Sequence, residues 1–288
     1  MNARRVHAVL AAGVENPTLI ASWRQDPELL RGHGIDPAEI DLDALWKFAG
    51  LTVKVRHNGI REELPHTFRF LHVAELTIDV FASYAGRCAA EGRRFGDTAE
   101  ARTRDFVDFL EQWLDLERPS HALLWDLVRH ERALARLAGS ADPQAGEGAS
   151  PGAGMPGVGA PAPRRKRAGS KAGAPPTGAT VPRLWDGLIV HGMRSDPRAI
   201  AELLREKAPR LELVPLEPCC LCYRRDGGEV SIVRLDGSVH YLLSLVDGAR
   251  TASDLHRALL GGKRPTRGFL QILRELADLG VLLLGPPR

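Results

Sequence analysis

The 288-residue sequence has no long hydrophobic run and few cysteines. No stretch approaches the roughly 18–20 uninterrupted apolar residues that span a bilayer. Cys88, Cys219, Cys220 and Cys222 are too few and too clustered for a disulfide framework, and they suit a reducing compartment. We therefore expect a cytoplasmic protein, with a signal peptide in the basic and apolar residues 1–14 as the weaker alternative.

The sequence also lacks the motifs of a self-sufficient active site: GxGxxG, GxxxxGK[ST], HExxH and GxSxG. In PCCLC, Cys219 and Cys222 should point to opposite faces of a strand, which favours buried cysteines over a zinc or redox site. His72, Glu75 and Asp79 share one predicted helical face and leave a metal or acid/base site open. We expect no catalytic residue, metal or cofactor in this chain, with an enzyme acting alone as the third hypothesis.

Basic charge is not concentrated enough for a dedicated DNA-binding domain. Basic and acidic side chains number 18 and 21 in residues 1–138, 5 and 2 in residues 139–182, and 16 and 13 in residues 183–288. DNA-binding domains carry a stronger basic footprint, because phosphate neutralisation supplies most non-specific affinity. The cluster RRKR in residues 139–182 could contact an acidic partner or nucleic acid, but a solvated linker is favoured.

Composition divides the chain into three parts. Residues 139–182 consist largely of Gly, Ala, Pro and Ser, with almost no large apolar side chain. Such a segment cannot bury enough surface to offset its ordering entropy, so we predict a flexible linker. The linker separates an N-terminal domain, residues 1–138, from a C-terminal domain, residues 183–288.

The N-terminal domain shows helical spacing of apolar residues throughout. The pattern from Asp43 predicts one long helix that ends near Leu64, and HVAELTIDVFASYAGRCAA predicts another helix with a single buried face. FVDFLEQWL and HALLWDLVRHERALARL predict two more. These patterns predict a helical bundle of about five or six helices.

The C-terminal domain mixes strand and helix signals. The runs CCLCYRR and EVSIVRL flank an Asp-Gly-Gly turn and predict a hairpin. Helices are predicted at residues 238–246, 253–260 and 266–279, followed by a terminal strand in VLLL. This order predicts an α+β winged-helix domain, so we expect the whole chain to be mainly α.

Within the C-terminal domain, the segment from about Leu211 to Leu284 resembles the peptide-recognition domain typified by the chaperone of pyrroloquinoline quinone biosynthesis. The hairpin, LDGSVHYLLSLVDGARTASDLHRAL and a last helix ending in LADLGVLLL carry the resemblance. It implies that a peptide adds as a strand beside EVSIVRL and packs against the last helix. The implied peptide-binding residues are Val233, Arg234, Leu235, Arg267, Phe269, Leu273, Arg274 and Leu276, with the arginines meeting acidic side chains.

The N-terminal helices resemble the partner subunits of multinuclear non-haem iron-dependent oxidases, a family also described as DNA-binding domains. The methanobactin-maturing pair is an example. VKVRHNGIREELPHTFRFL, RDFVDFLEQW and LLWDLVRHERAL carry the resemblance. It implies a heterodimer with a TIM-barrel oxidase that holds the iron, and it implies Arg56, Asn58 and Trp125 as partner-interface residues.

The two resemblances together imply a non-catalytic partner protein. It would bind a ribosomally made precursor peptide and present it to the oxidase, in the maturation of a peptide natural product or metallophore. The alternative is a winged-helix transcriptional regulator in which Arg267, Gln271 and Arg274 read bases. The alternative predicts binding to duplex DNA that falls steeply with salt.

Overall fold

The computed structural model describes residues 3–92, 98–139, 175–226 and 228–286. Most of the predicted linker lies outside the described residues, as does Gly227 of the predicted turn. The described chain is mainly helical, which confirms the predicted class. It divides into a helical unit, Met1–Ala135 with Met193–Pro218, and a mixed unit, Arg136–Gly192 with Cys219–Arg288.

Polar side chains cap the first turns of several helices in the helical unit. Asp41 accepts a hydrogen bond from the N–H of Ala44 at 2.9 Å, and Thr98 accepts one from the N–H of Ala101 at 3.1 Å. The helices are α1 Ala3–Glu15, α2 Pro17–Gln25, α3 Leu29–Gly32, α4 Leu42–Arg56, α5 Asn58–Glu63, α6 Pro65–Val73, α7 Thr77–Ala90, α8 Ala99–Trp113 and α9 Pro119–Gly139.

Two helices that were predicted to be continuous are broken. The helix predicted from Asp43 to Leu64 ends at Arg56, and α5 starts after His57, which is buried with its ring centroid 5.4 Å from that of Tyr84. The break directs Ile60 into the same core as Tyr84. Packing of this kind overrides local periodicity.

The second break lies between α6 and α7. Glu75 has a φ of +58° there, a left-handed conformation that ends a helix. The N–H of Leu76 bonds to the carbonyl of Leu71 across this turn at 2.9 Å. The predicted single helix through HVAELTIDVF is therefore two helices joined by a tight turn.

Aromatic rings form the centre of the helical unit. Phe81 and Phe106 are stacked with centroids 5.1 Å apart, and Tyr84 meets Phe106 edge-on at 5.4 Å. Phe68 and Phe109 extend the group, and all five side chains are buried. Rings of this size supply much of the area that a core buries.

The segment Met193–Pro218, which we predicted within the C-terminal domain, belongs to the helical unit. It contains α10, Pro197–Leu203, and a short 3₁₀ helix, Leu211–Leu213. Ile200, Leu204 and Val214 from this segment join the aromatic core. The guanidinium of Arg69 donates to the carbonyl oxygens of Leu204 and, at 2.9 Å, Glu206. The sequence did not predict that this segment belongs to the helical unit, because its contacts are with residues far away along the chain.

The mixed unit contains two small sheets and three helices. The predicted hairpin and the three predicted helices are confirmed, with ends shifted by at most two residues. The elements are β1 Val181–Leu184, β2 Ile189–Met193, β3 Cys219–Asp226, β4 Glu229–Asp236, α11 Gly237–Ser244, α12 Ala252–Leu260, α13 Arg267–Asp278 and β5 Leu282–Gly285. One sheet has the order β2-β3-β4, and in the other β1 pairs antiparallel with β5.

Strands β1 and β2 were not predicted from the sequence. Each is short and contains a residue that weakens a strand pattern, Pro182 in β1 and Gly192 in β2. Just before β1, the carbonyl of Gly178 accepts from the N–H of Ser253 at 3.0 Å, and that of Thr180 accepts from Ala252 at 2.8 Å. The end of the predicted linker therefore satisfies the first N–H groups of α12.

One face of β3 lies in the same buried cluster as residues of α11, α12 and α13. Cys220 and Cys222 are buried with Leu255 and Leu273 in the main cluster of the mixed unit. Further along β3, the buried Arg224 donates to the carbonyl of Gly280 at 3.1 Å. Gly280 has a φ of +69°, and a Cβ there would overlap this guanidinium, so the turn after α13 requires glycine.

Candidate functional site

Strand β4 is paired along one edge within the described sheet. It bonds to β3 in the register Leu235 to Cys220 and Val233 to Cys222, and no other described strand adjoins it. Because side chains alternate, Val233 and Leu235 lie half-buried against the main cluster, and Arg234 points to the opposite face. The outer edge of β4 presents backbone N–H and C=O groups that another strand can pair with.

The three apolar residues predicted on α13 are part of the core. Phe269, Leu273 and Leu276 are only 5%, 0% and 3% exposed. Their spacing of four and three residues places them on one stripe, which is the face that packs inward. In this structure they pack in the unit's own core and are not presented on the surface of α13, where the predicted peptide contacts would lie.

Other apolar residues of α13 are exposed. Ile272 and Leu279, the residue that caps the C-terminus of α13, are each 43% exposed and lie on one flank of the buried stripe. Leu270 is half-buried on the other flank, toward Arg267 and Arg274. At 100° per residue the two flanks face different directions, so one extended peptide along α13 meets either the apolar pair or the arginines.

The predicted cationic residues differ in exposure. Arg267 is exposed and Arg274 is half-buried, and in the described chain neither forms an ion pair. Gln271 donates to Glu275 at 3.0 Å, and Asp278 is also exposed on α13. The mixture of cations and acids on the exposed surface of α13 suits a peptide better than a phosphate backbone.

The predicted partner-interface residues lie in the helical unit. Asn58 is exposed at the start of α5. Trp125 on α9 is half-buried and packs against the aromatic core, so its indole has a structural role. The side chain of Arg56 lies outside the part of the structure that can be described.

Buried polar residues on α9 were missed by sequence reasoning. The carboxylate of Glu131 accepts from the N–H groups of His66 at 2.8 Å and Thr67 at 2.9 Å, and so caps the start of α6. Asp126 accepts from the N–H groups of Arg194 at 2.8 Å and Ser195 at 2.9 Å. No local signal could reveal these contacts, because the partners are distant in sequence.

Burial shifts the pKa of several titratable groups on α9, and it lowers that of His121. It raises the pKa of Asp126, against the opposing effects of Arg129 and the two backbone N–H groups. It lowers the pKa of His130 to about 4, so this imidazole is neutral at pH 7. The carboxylates of Asp126 and Glu131 both accept hydrogen bonds from backbone amides, which indicates structural roles.

The predicted burial of the strand cysteines is confirmed. Cys219, Cys220 and Cys222 are each at most 1% exposed. The hydrogen bond between the Cys220 and Cys222 thiols lowers the pKa of Cys220 and, together with burial, raises that of Cys222. Thiols this deeply buried are small core side chains rather than accessible nucleophiles.

The shared face of His72, Glu75 and Asp79 is not formed. His72 lies in the last turn of α6, Glu75 occupies the left-handed turn, and Asp79 on α7 accepts from the indole N–H of Trp46 at 3.2 Å. Within the described ranges, no group of three or more His, Cys, Asp or Glu side chains could hold a metal ion.

Comparisons with known proteins give no family assignment: no protein-family model matches the chain, and no curated protein is significantly similar to it. None of the described helices is both long enough and apolar enough to cross a membrane.

Proposed function

We propose that this chain is a non-catalytic partner protein that binds a ribosomally made precursor peptide and presents it to an iron-dependent TIM-barrel oxidase. The observation that carries the proposal is the open edge of β4, with Val233 and Leu235 half-buried beside it. An extended peptide that adds to such an edge gains main-chain hydrogen bonds without a preformed pocket.

The element order of the mixed unit supports a winged-helix peptide-recognition domain. A hairpin, β3 and β4, is followed by α11, α12, α13 and β5. In the proposed arrangement the hairpin is the wing and α13 is the helix beside the bound peptide. The described contacts revise the proposed apolar contacts on α13 to Ile272 and Leu279, while Arg267 and Arg274 meet acidic side chains when the peptide follows the other flank.

Proline substitutions in β4 test the proposal at the level of the backbone. In an edge strand, consecutive N–H groups alternate between the paired and the open side. Of Ser231→Pro and Ile232→Pro, one removes a hydrogen bond to β3 and weakens the fold, whereas the other removes a donor from the open edge. We expect the variant that loses the open-edge donor to keep its melting temperature. Its affinity for precursor leader peptides, measured by fluorescence anisotropy, should be mostly lost.

Equal affinity of the folded variant and the parent would refute strand addition. The flanks of α13 are tested separately with Ile272→Asp and Arg274→Glu, of which one should weaken binding and the other should not. Duplex DNA serves as the competing ligand in the same assay. Specific DNA binding at physiological salt, with no peptide binding, would favour the transcriptional regulator instead.

The proposed oxidase partner is tested by co-expression. The iron belongs to the barrel subunit, and this chain supplies peptide binding and positioning. A barrel oxidase encoded beside this gene should co-purify with it as a stable complex, and its activity on the precursor should require this chain. Full activity of the oxidase alone would contradict the proposal.

A further inference from the structure

Helix α4 carries an apolar stripe on its outward face. Phe48, Leu51 and Val55 are spaced by three and four residues, lie on one side of the helix, and are 59%, 48% and 66% exposed. Single exposed apolar residues are common on soluble proteins. Three large ones aligned on one helix face form a contiguous surface, which is typical of an interaction site.

The opposite face of α4 packs into the helical unit. Ala49 and Val53 are buried, and α4 approaches α7 so closely at Gly50 that a Cβ there would lie 2.8 Å from Cγ2 of Ile78. Rotating α4 to cover its outer stripe would expose this face and break the close approach. The stripe is therefore outward in the packed unit and is available to another molecule.

Positive charge borders the stripe. Lys47 and Lys54 are seven residues apart, so both lie along the same edge of the stripe, and neither forms an ion pair within the described ranges. Asp43 is the one acidic residue of α4, and its carboxylate is paired with Arg24 at 2.9 Å. An apolar strip with a cationic border is complementary to an apolar strip with an acidic border.

We infer that the α4 stripe binds a different protein through an apolar helix face bordered by acidic side chains. Charge argues against a second copy of this chain: in an antiparallel two-fold pair of α4 helices, the lysine edges of the two helices would face each other. Residues 139–182 are also unsuited to cover the stripe, since they hold almost no large apolar side chain and carry more basic than acidic residues.

This inference rests on the proposed function only for the identity of the partner, which would be the oxidase subunit. Asn58, one of the predicted interface residues, is exposed just beyond Val55 at the end of the stripe. Peptide binding by the mixed unit involves no residue of α4, so the two activities can fail independently.

The test uses the full chain and two model peptides of about 18 residues, which is longer than the roughly 12–15 residues below which isolated helices are marginal in water. Both have leucines on one face, and the residues that border the leucines are glutamate in one peptide and lysine in the other. We expect the glutamate peptide to bind at least about fivefold more tightly, as two exposed ion pairs allow. Leu51→Asp should reduce its binding by about tenfold or more.

Matched variants decide between the outcomes. Leu29→Asp, at a site in the same unit that is 46% exposed, should leave binding unchanged. Lys47→Glu with Lys54→Glu should reverse the preference to the lysine peptide. No binding, or equal binding of both peptides, overturns the inference. So does a homodimer in sedimentation that Leu51→Asp dissociates and Leu29→Asp does not. Leader-peptide binding measured on the same samples reports separately on the proposed function.

Discussion

The helical unit and the mixed unit achieve cohesion by different means. The helical unit is built around five contacting aromatic rings. Its buried carboxylates also accept hydrogen bonds from backbone N–H groups of segments distant in sequence. In the main cluster of the mixed unit, Phe269 is the single aromatic side chain among aliphatic residues and two cysteines. Large rings bury more area per residue, so a single side chain contributes more to the free energy of unfolding in the helical unit than in the mixed unit.

The difference also separates two kinds of binding surface. In the helical unit the exposed feature is a row of side chains on α4, because backbone groups within helices bond internally. In the mixed unit the exposed feature is backbone, the outer edge of β4. A partner of the α4 stripe is selected by the shape and charge of its side chains. A partner of the β4 edge must first be able to adopt an extended strand conformation.

The largest expected effect breaks the aromatic core. Phe106 is fully buried and meets four other rings. We expect Phe106→Ala to lower the free energy of unfolding of the helical unit by about 4 kcal/mol, since it removes a ring and leaves a cavity. Chemical denaturation followed by hydrogen exchange of α7 and α8 measures it. Leu116→Ala, at a site 36% exposed, is the control, and a similar loss there would contradict this view of the core.

The next effect concerns the buried carboxylate on α9. Asp126→Ala leaves the N–H groups of Arg194 and Ser195 without their acceptor, which we expect to cost about 3 kcal/mol. Both amides bond to the same carboxylate oxygen, so Asp126→Asn can keep them and should recover most of the loss. Thermal denaturation of the two variants tests the difference. If Asn destabilises as much as Ala, charge rather than hydrogen bonding holds the segment.

A third prediction concerns pH. The folded pKa of His130, about 4, lies below the ordinary value of 6.5, so the unfolded chain binds this proton more readily. Stability of the helical unit should therefore fall as pH falls from 6.5 toward 4, by about 2 kcal/mol between pH 6.5 and 5. Denaturation in the Asp126→Asn background avoids the opposite contribution of Asp126. His130→Phe should reduce this slope, and His121, whose pKa burial also lowers, accounts for a remaining slope of the same sign. An unchanged slope would assign the pH dependence to groups other than His130.

The smallest effect is expected in the mixed unit. Cys220→Ala removes one buried sulfur and its contact with Cys222, and we expect a loss of about 1 kcal/mol. The same denaturation experiment, followed at β3 and β4, measures it. A loss as large as that of Phe106→Ala would remove the contrast between the two units.

Local signals accounted for much of the fold. The Asp-Gly-Gly turn between two apolar runs gave the β3–β4 hairpin, and strong amphipathic spacing with a hydroxyl cap gave α12 and α13. The breaks at His57 and Glu75 could not be predicted, because they follow from packing against residues far along the chain. The grouping of Met193–Pro218 with the helical unit depends on distant contacts in the same way.

The candidate site was predictable in outline and not in detail. The sequence located the strand β4 and the helix α13, but it could not show which apolar side chains of α13 face inward. Phe269 and Leu273 are core, and Ile272, one position before Leu273, is exposed. A helix with apolar residues on several sides is ambiguous until its neighbours are known. The stripe on α4 was hidden for the same reason.

The position of the segment Met193–Pro218 in the helical unit limits how the gene can recombine. The chain passes from one unit to the other after Ala135, after Gly192 and after Pro218, so neither unit corresponds to a continuous piece of gene. Recombination within residues 139–182 would bring in a foreign segment to meet Asp126 and Arg69. Backbone amides can be matched by almost any sequence, but the apolar positions of that segment must fit the aromatic core. The two halves of the gene are therefore expected to evolve together and not to be exchanged separately by recombination.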